Sequence, residues 1–208
     1  MSDAPPFPDG FFDRADDAPD AQFYAPLRLV THIDAGAIAA VGTLYAELGF
    51  DGDVLDVMSS WVSHFRAPPR RLTVLGMNES ELAHNPMAAE RVVHDLNAQP
   101  ELPFADASFD AVVCCVSVDY LVRPVEVFRS AARVLRPGGV LCCTFSNRLF
   151  PTKAIHGWLM TDDAGHVEIV KHYFELAGGF GPSDSRRCPT PPGGDPLYAV
   201  WAHEVTVA

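Results

Sequence analysis

Between Asp53 and Asp119, apolar runs of roughly five residues alternate with short segments of helical spacing. The runs are VLDV, LTVLGM, RVVH and AVVCCV. They are apolar throughout rather than alternating, as strands covered on both faces are, and this predicts a parallel sheet with helices packed on it. The expected strands are 72–77, 91–94, 111–116 and 140–145, with the first around VLDV and a helix after each of the first two. Each early run reaches a polar residue at its C-terminal end: Asp56, Asn78, Asp95 and Ser117. Ligands of open α/β sheets bind at the carboxyl ends of the strands, so these four positions predict a site along one sheet edge.

The flanking segments complete the pattern. Ile38, Val41, Leu44, Tyr45 and Leu48 recur at helical spacing, with Asp34 as N-cap and Gly49 as C-terminal stop. The turn MSSWVSHF offers Ser59 or Ser60 as cap for the helix expected after the first strand. PVEVFRSAARVL reads as a helix with Pro124 in its first turn, ended by RPGG. FPTKAIHGWLM reads as a helical or irregular piece on the ligand side, and HVEIVKHYFELAGGF as an amphipathic helix. The Pro-rich stretch that follows reads mostly as loop, with a sixth strand in its first residues. LYAVWAHEV alternates and reads as the closing edge strand. Residues 1–33 are expected to form an N-terminal arm or lid and 34–208 the domain. Phe7, Phe11, Phe12, Phe23 and Tyr24 would dock the arm, chiefly by core packing.

Composition narrows the function. A net charge of -12 argues against nucleic acid or an anionic membrane as partner, and Arg66, Arg70 and Arg71 read as a solvated loop. Four of the five cysteines form the pairs Cys114-Cys115 and Cys142-Cys143. Neighbours on a strand point to opposite faces, so neither pair can chelate one metal, and no metal site is expected. Buried thiols suit a reducing cytosol, as does Cys188 read as a free thiol in a loop. No apolar stretch approaches the roughly 20 residues that span a bilayer, and MSDAPPFPDG lacks the features of a signal peptide. A cytoplasmic location is therefore expected. The turn after the first strand has no glycine, which argues against NAD, FAD and ATP.

VLDVMSS, LGMNESEL, DLNAQPELPFADASFDAVVCC, ARVLRPGGVL and DPLYAVWA, in this order, resemble a class I S-adenosylmethionine-dependent methyltransferase over residues 50–205. The loop MSSW-x-SH and the stretch SNR-x-FPTKA resemble an atypical subgroup of that family. The resemblance implies a single-domain, Rossmann-like α/β fold with a mostly parallel seven-stranded sheet, an antiparallel last strand and helices on both faces. It implies S-adenosylmethionine as cofactor: Asp56 at the methionine end, Ser59 and Ser60 in the loop, and Asn78 and Glu79 at the ribose. Asp95 and Leu96 would flank adenine, and Cys115, Val116 and Ser117 would border the reacting methyl. Trp61, Tyr120, Asn147, Arg148 and Lys153 would contact substrate, with His32, His64 and Tyr120 as candidate catalytic groups. Met58, Ser60 and Val62 stand where the family has glycines, and Asn78 where it has an acid.

The activity implied is in-line methyl transfer to a small-molecule acceptor, an anionic one if Arg148 and Lys153 bind it. The alternative is a catalytically inactive protein of the same fold that binds or regulates a partner. A nicotinamide dehydrogenase would need the missing glycine loop. The oligomeric state is left open.

Overall fold

The computed structural model describes residues 7–205. The elements are α1 (Asp20–Phe23), α2 (Ala35–Glu47), β1 (Asp53–Val57), β2 (Arg71–Gly76), α3 (Glu79–Ala83), β3 (Glu90–Val93), β4 (Phe109–Cys115), α4 (Pro124–Val134), β5 (Leu135–Phe145), α5 (His156–Leu159), α6 (Asp163–Ala177), β6 (Asp184–Cys188) and β7 (Leu197–His203). A 3-10 turn spans Val118–Tyr120. One seven-stranded sheet runs β3-β2-β1-β4-β5-β7-β6. β1 to β5 are parallel neighbours, and β7 runs antiparallel to both β5 and β6. This is the Rossmann-like methyltransferase fold.

Strand alternation distributes the core over two faces. Leu55, Val57 and Val112 pack with Phe128, Tyr173 and Phe174 of α4 and α6. Val54, Val74 and Val113 pack with Val41, Leu44 and Tyr45 of α2. The caps match the local sequence: Asp34 Oδ1 accepts the Ala37 N–H at 2.8 Å, and Pro124 opens α4.

Five expectations change. No helix joins β1 to β2: residues 58–70 form an irregular crossover. It ends in APPR, where two prolines remove helix donors, and α2 already covers that face. Phe65 packs on Tyr45 with ring centroids 4.9 Å apart, and a Cβ at Gly42 would lie 2.9 Å from the His64 carbonyl. β5 begins at Leu135 rather than Val140, because Phe109 pairs with Leu135 and Ala111 with Val140, which leaves 136–139 as a bulge. β7 is an inner strand and β6 the edge. Cys188 lies at the end of β6, buried, rather than in a loop. The arginines expected to be solvated are largely paired: Arg70 with Asp53 and Asp110, and Arg71 with Glu90.

The arm is docked. Phe7, Phe11 and Phe12 form an aromatic cluster that reaches Tyr173 of α6. Further along, Phe23 and Tyr24 approach the carboxyl edge of the sheet, where Phe23 meets Phe150 at 5.3 Å. Among the described residues no helix is long and apolar enough to cross a membrane.

Candidate functional site

A cavity of about 450 Å³ opens at the carboxyl ends of β1, β2 and β4, with the arm as its outer wall. Its size lies within the range of small-ligand sites. Asp56, Ser59, Ser60, Trp61, His64, Asn78, Asp95, Leu96, Cys115, Val116, Ser117, Tyr120, Asn147, Arg148 and His32 all line it. Two expected residues do not. Glu79 is exposed at the start of α3. Lys153 is fully buried outside the cavity, where its ammonium meets the Ala18 and Asp16 carbonyls at 2.8 and 3.2 Å. It also pairs with the carboxylates of Asp20 and Asp16 at 3.1 and 3.2 Å. It anchors the arm.

The loop after β1 is held by hydroxyls. Ser59 and Ser63 donate to Asp56 Oδ2 at 2.8 and 2.6 Å, Asn85 donates to the Ser63 oxygen at 2.9 Å, and Ser60 donates to Glu81 Oε2 at 2.6 Å. Thus Ser59 and Ser60 do not cap a helix. Asp56 is buried, and desolvation raises its pKa to about 6 against the two serine bonds that favour the charged form. Met58 and Val116, at the ends of β1 and β4, have φ of 54° and 52°. The left-handed region is rare for such side chains, above all for β-branched valine, and strain of this kind gathers at functional sites. Met58 takes the conformation that glycine takes without cost. The loop then lies directly on the end of β2, where a Cβ on Gly76 would fall 2.2 Å from the Ser59 carbonyl.

Asn78 turns away from ligand duty. Its Oδ1 caps α3 by accepting the Glu81 N–H at 3.1 Å, and its Nδ2 donates to the Tyr24 and Ala25 carbonyls at 2.9 and 3.2 Å. Both amide hydrogens therefore hold the arm. The nearby acid on the cavity wall is Glu81, whose Oε1 accepts the Arg28 N–H at 2.8 Å. Glu81 is missed by strand-end reasoning. The signal was the N-x-x-E spacing of a helix start, which puts the third helical residue beside the cap. Arg28, Asn97 and Phe150 also line the cavity unforeseen, and Tyr24, expected chiefly to pack the arm, reaches it as well.

Trp61 donates through Nε1 to the Val30 carbonyl at 3.0 Å, a further clamp on the arm. The Tyr120 hydroxyl accepts the Phe150 N–H at 2.8 Å, and burial, then the Asp119 charge, raises its pKa, so it stays protonated. Burial pushes the Cys115 thiol up to about 12 and leaves it unreactive. His64 is held below its ordinary pKa, chiefly by desolvation and then by His32. Arg148 is 61% exposed and pairs with Asp195 at 3.2 Å, and Asn147 is exposed at the mouth.

The cavity fits an adenosyl cofactor with a cationic end. The buried Asp56 and the wall carboxylates Glu81 and Asp95 offer acceptors to ammonium and hydroxyl groups, with apolar Leu96, Met58 and Val116 between them.

Residues 50–143 match the family model described as a methyltransferase domain. The chain is 34% identical over 148 residues to malonyl-[acyl-carrier protein] O-methyltransferase of Hahella chejuensis, covering 64% of this chain and 51% of that protein. The chain thus spans about half the length of this curated relative. A possible histamine N-methyltransferase from Thermotoga maritima superposes with a TM-score of 0.60 at 13% identity, over 81% of this chain and 90% of that one. The 1,6-didemethyltoxoflavin-N1-methyltransferase of Burkholderia thailandensis, solved with S-adenosylhomocysteine, gives 0.58 at 18% identity, over 82% and 79%. The domain match and the curated relatives make the chain similar to S-adenosylmethionine-dependent methyltransferases, and the solved structures share its fold.

Proposed function

We propose that the protein transfers a methyl group from S-adenosylmethionine to a small-molecule acceptor. The observation that carries this reading is the cavity at the switch edge of the sheet, where Asp56, Glu81 and Asp95 converge beside the strained Met58 and Val116. When bound, S-adenosylmethionine supplies a methyl group on a cationic sulfur. Asp56 accepts from the ammonium of its methionine end. Glu81, in place of Asn78, accepts from the ribose hydroxyls. Asp95 accepts from the adenine amino group and Leu96 packs on the ring, while Cys115, Val116 and Ser117 border the methionine chain. His64, uncharged at neutral pH, takes the acceptor's proton at an imidazole nitrogen, with His32 at the mouth as the alternative base. Tyr120 and Trp61 are walls of the acceptor space. The five free thiols fit a cytoplasmic setting.

One observation favours a second reading, a non-catalytic binding protein: Asn78 and Glu81 already hold the arm across the cofactor space. Calorimetric titration with S-adenosylmethionine and S-adenosylhomocysteine separates the two. Micromolar binding is expected. No binding up to millimolar concentration in folded protein supports the second reading.

A further inference from the structure

The cavity holds two arginines, and their surroundings differ. Arg148 is largely exposed and neutralised by Asp195. Arg28 is half-buried on the arm, and among the described residues no carboxylate lies within 4.0 Å of its guanidinium. One of its five N–H groups donates to the Phe23 carbonyl at 2.8 Å. The cation sits 4.8 Å from the Phe23 ring centroid and 5.9 Å from that of Phe150. These rings position the guanidinium without neutralising it. The Glu81 carboxylate bonds the backbone N–H of Arg28 instead, which fixes where the side chain starts.

Among the described residues Arg66, Arg91, Arg129 and Arg187 also form no ion pair, but none of them lines the cavity, so Arg28 is the cavity's unneutralised arginine. The other cations near the arm are matched: Arg14 and Lys153 face Asp16 and Asp20. The cavity's cofactor-facing carboxylates lie on the sheet side, whereas Arg28 lies on the arm side. We infer that Arg28 is the anchor for a carboxylate on the methyl acceptor, so that the substrate is a small organic acid whose apolar or aromatic body rests among Tyr24, Trp61 and Phe150. The guanidinium fork matches a planar carboxylate with two parallel N–H bonds, which an ammonium does not reproduce. The word acceptor rests on the methyltransferase reading; the carboxylate site itself does not.

The test uses the full chain saturated with S-adenosylhomocysteine. Matched probes are titrated by ligand-observed NMR: 4-hydroxybenzoate, 4-hydroxyphenylacetate, their primary amides, and phenyl phosphate. The acids should bind about tenfold or more tightly than the amides, the value of one charge-assisted pair. Arg28→Gln should erase that preference, Arg28→Lys should restore part of it, and Arg148→Gln should leave it in place. Thermal midpoints within a few degrees of the parent show that the variants fold. Amides that bind as well as acids, or a preference that survives Arg28→Gln, overturn the inference, as does phenyl phosphate outcompeting both acids. Absent S-adenosylhomocysteine binding with an intact, Arg28-dependent acid preference defeats the methyltransferase reading and leaves the anion site standing.

Discussion

Lys153→Met removes a buried cation and keeps most of its volume. In the parent, two carboxylates and two backbone carbonyls of the arm surround the ammonium, and the Phe23 ring lies 5.5 Å away. Breaking a buried ion pair typically costs 3–5 kcal/mol. Here Asp20 keeps Arg14 and Asn97, both at 2.8 Å, and the Asp16 side chain is 35% exposed, so water can solvate it. The Ala18 carbonyl is left without its donor, which adds part of a desolvation cost of about 1–3 kcal/mol. The expected loss is therefore about 3 kcal/mol, a large part of a domain stability of about 5–15 kcal/mol. Urea unfolding followed by circular dichroism measures the total. Limited proteolysis should show new cleavage within residues 14–30, because the arm is the element released. Lys171→Met is the control: its partner Glu168 is 71% exposed, and such pairs contribute at most about 1 kcal/mol. Equal losses in the two variants, or an arm as resistant as the parent's, would refute the anchoring role.

Asp119 is buried with Oδ2 unpartnered, and burial raises its pKa to about 7. Between the unfolded value near 3.9 and about 7 the native state binds more protons, so this group's contribution to stability falls as pH rises through that window. Asp119→Asn should raise the thermal midpoint at pH 8 far more than at pH 5, with about 4 kcal/mol as the ceiling; equal gains at both pH values would contradict the assignment. S-adenosylhomocysteine should bind more weakly at pH 5 than at pH 8, because Asp56 loses its charge as pH falls through about 6; calorimetry at both pH values checks this, and a flat profile removes Asp56 from the cofactor's ammonium. Met58→Gly should change stability by less than about 1 kcal/mol, since relief of a left-handed φ, about 1–2 kcal/mol, offsets lost packing. Met58→Ile should cost clearly more, as read from urea midpoints.

The sheet was legible because its central strands are continuous apolar runs, and their polar ends marked the cavity. Asp56, Asp95 and Ser117 stand there as the strand-end rule requires. Other features left no such trace. β6 was expected in the first residues of its stretch, but with four exposed residues of five it carries no burial pattern that marks it as the sheet's edge. The crossover 58–70 was expected to be helical because parallel strands usually need one, but α2 had taken that face. Lys153 and Arg148 looked alike as isolated cations. Only packing distinguishes a buried anchor from an exposed, paired side chain, and only the arm's path brings Arg28 to the cavity. Glu81 was hidden behind the assumption that a ligand-binding acid stands at the strand end itself.

The arm's partners set an order of assembly. Residues 11–28 are synthesised before their partners, which lie far along the chain. Lys153 meets residues 16–20 across sequence separations of up to 137 residues, and Gly157 donates to the Phe11 carbonyl. Contacts of that separation form late, because the intervening chain must order before they return any free energy. The strand ends can therefore be in place while the cavity still lacks its outer wall. A nascent or partly folded molecule would expose Met58, Val116 and Phe150 to other hydrophobic surfaces until synthesis has passed Tyr173, so chaperone demand should be greatest in that interval.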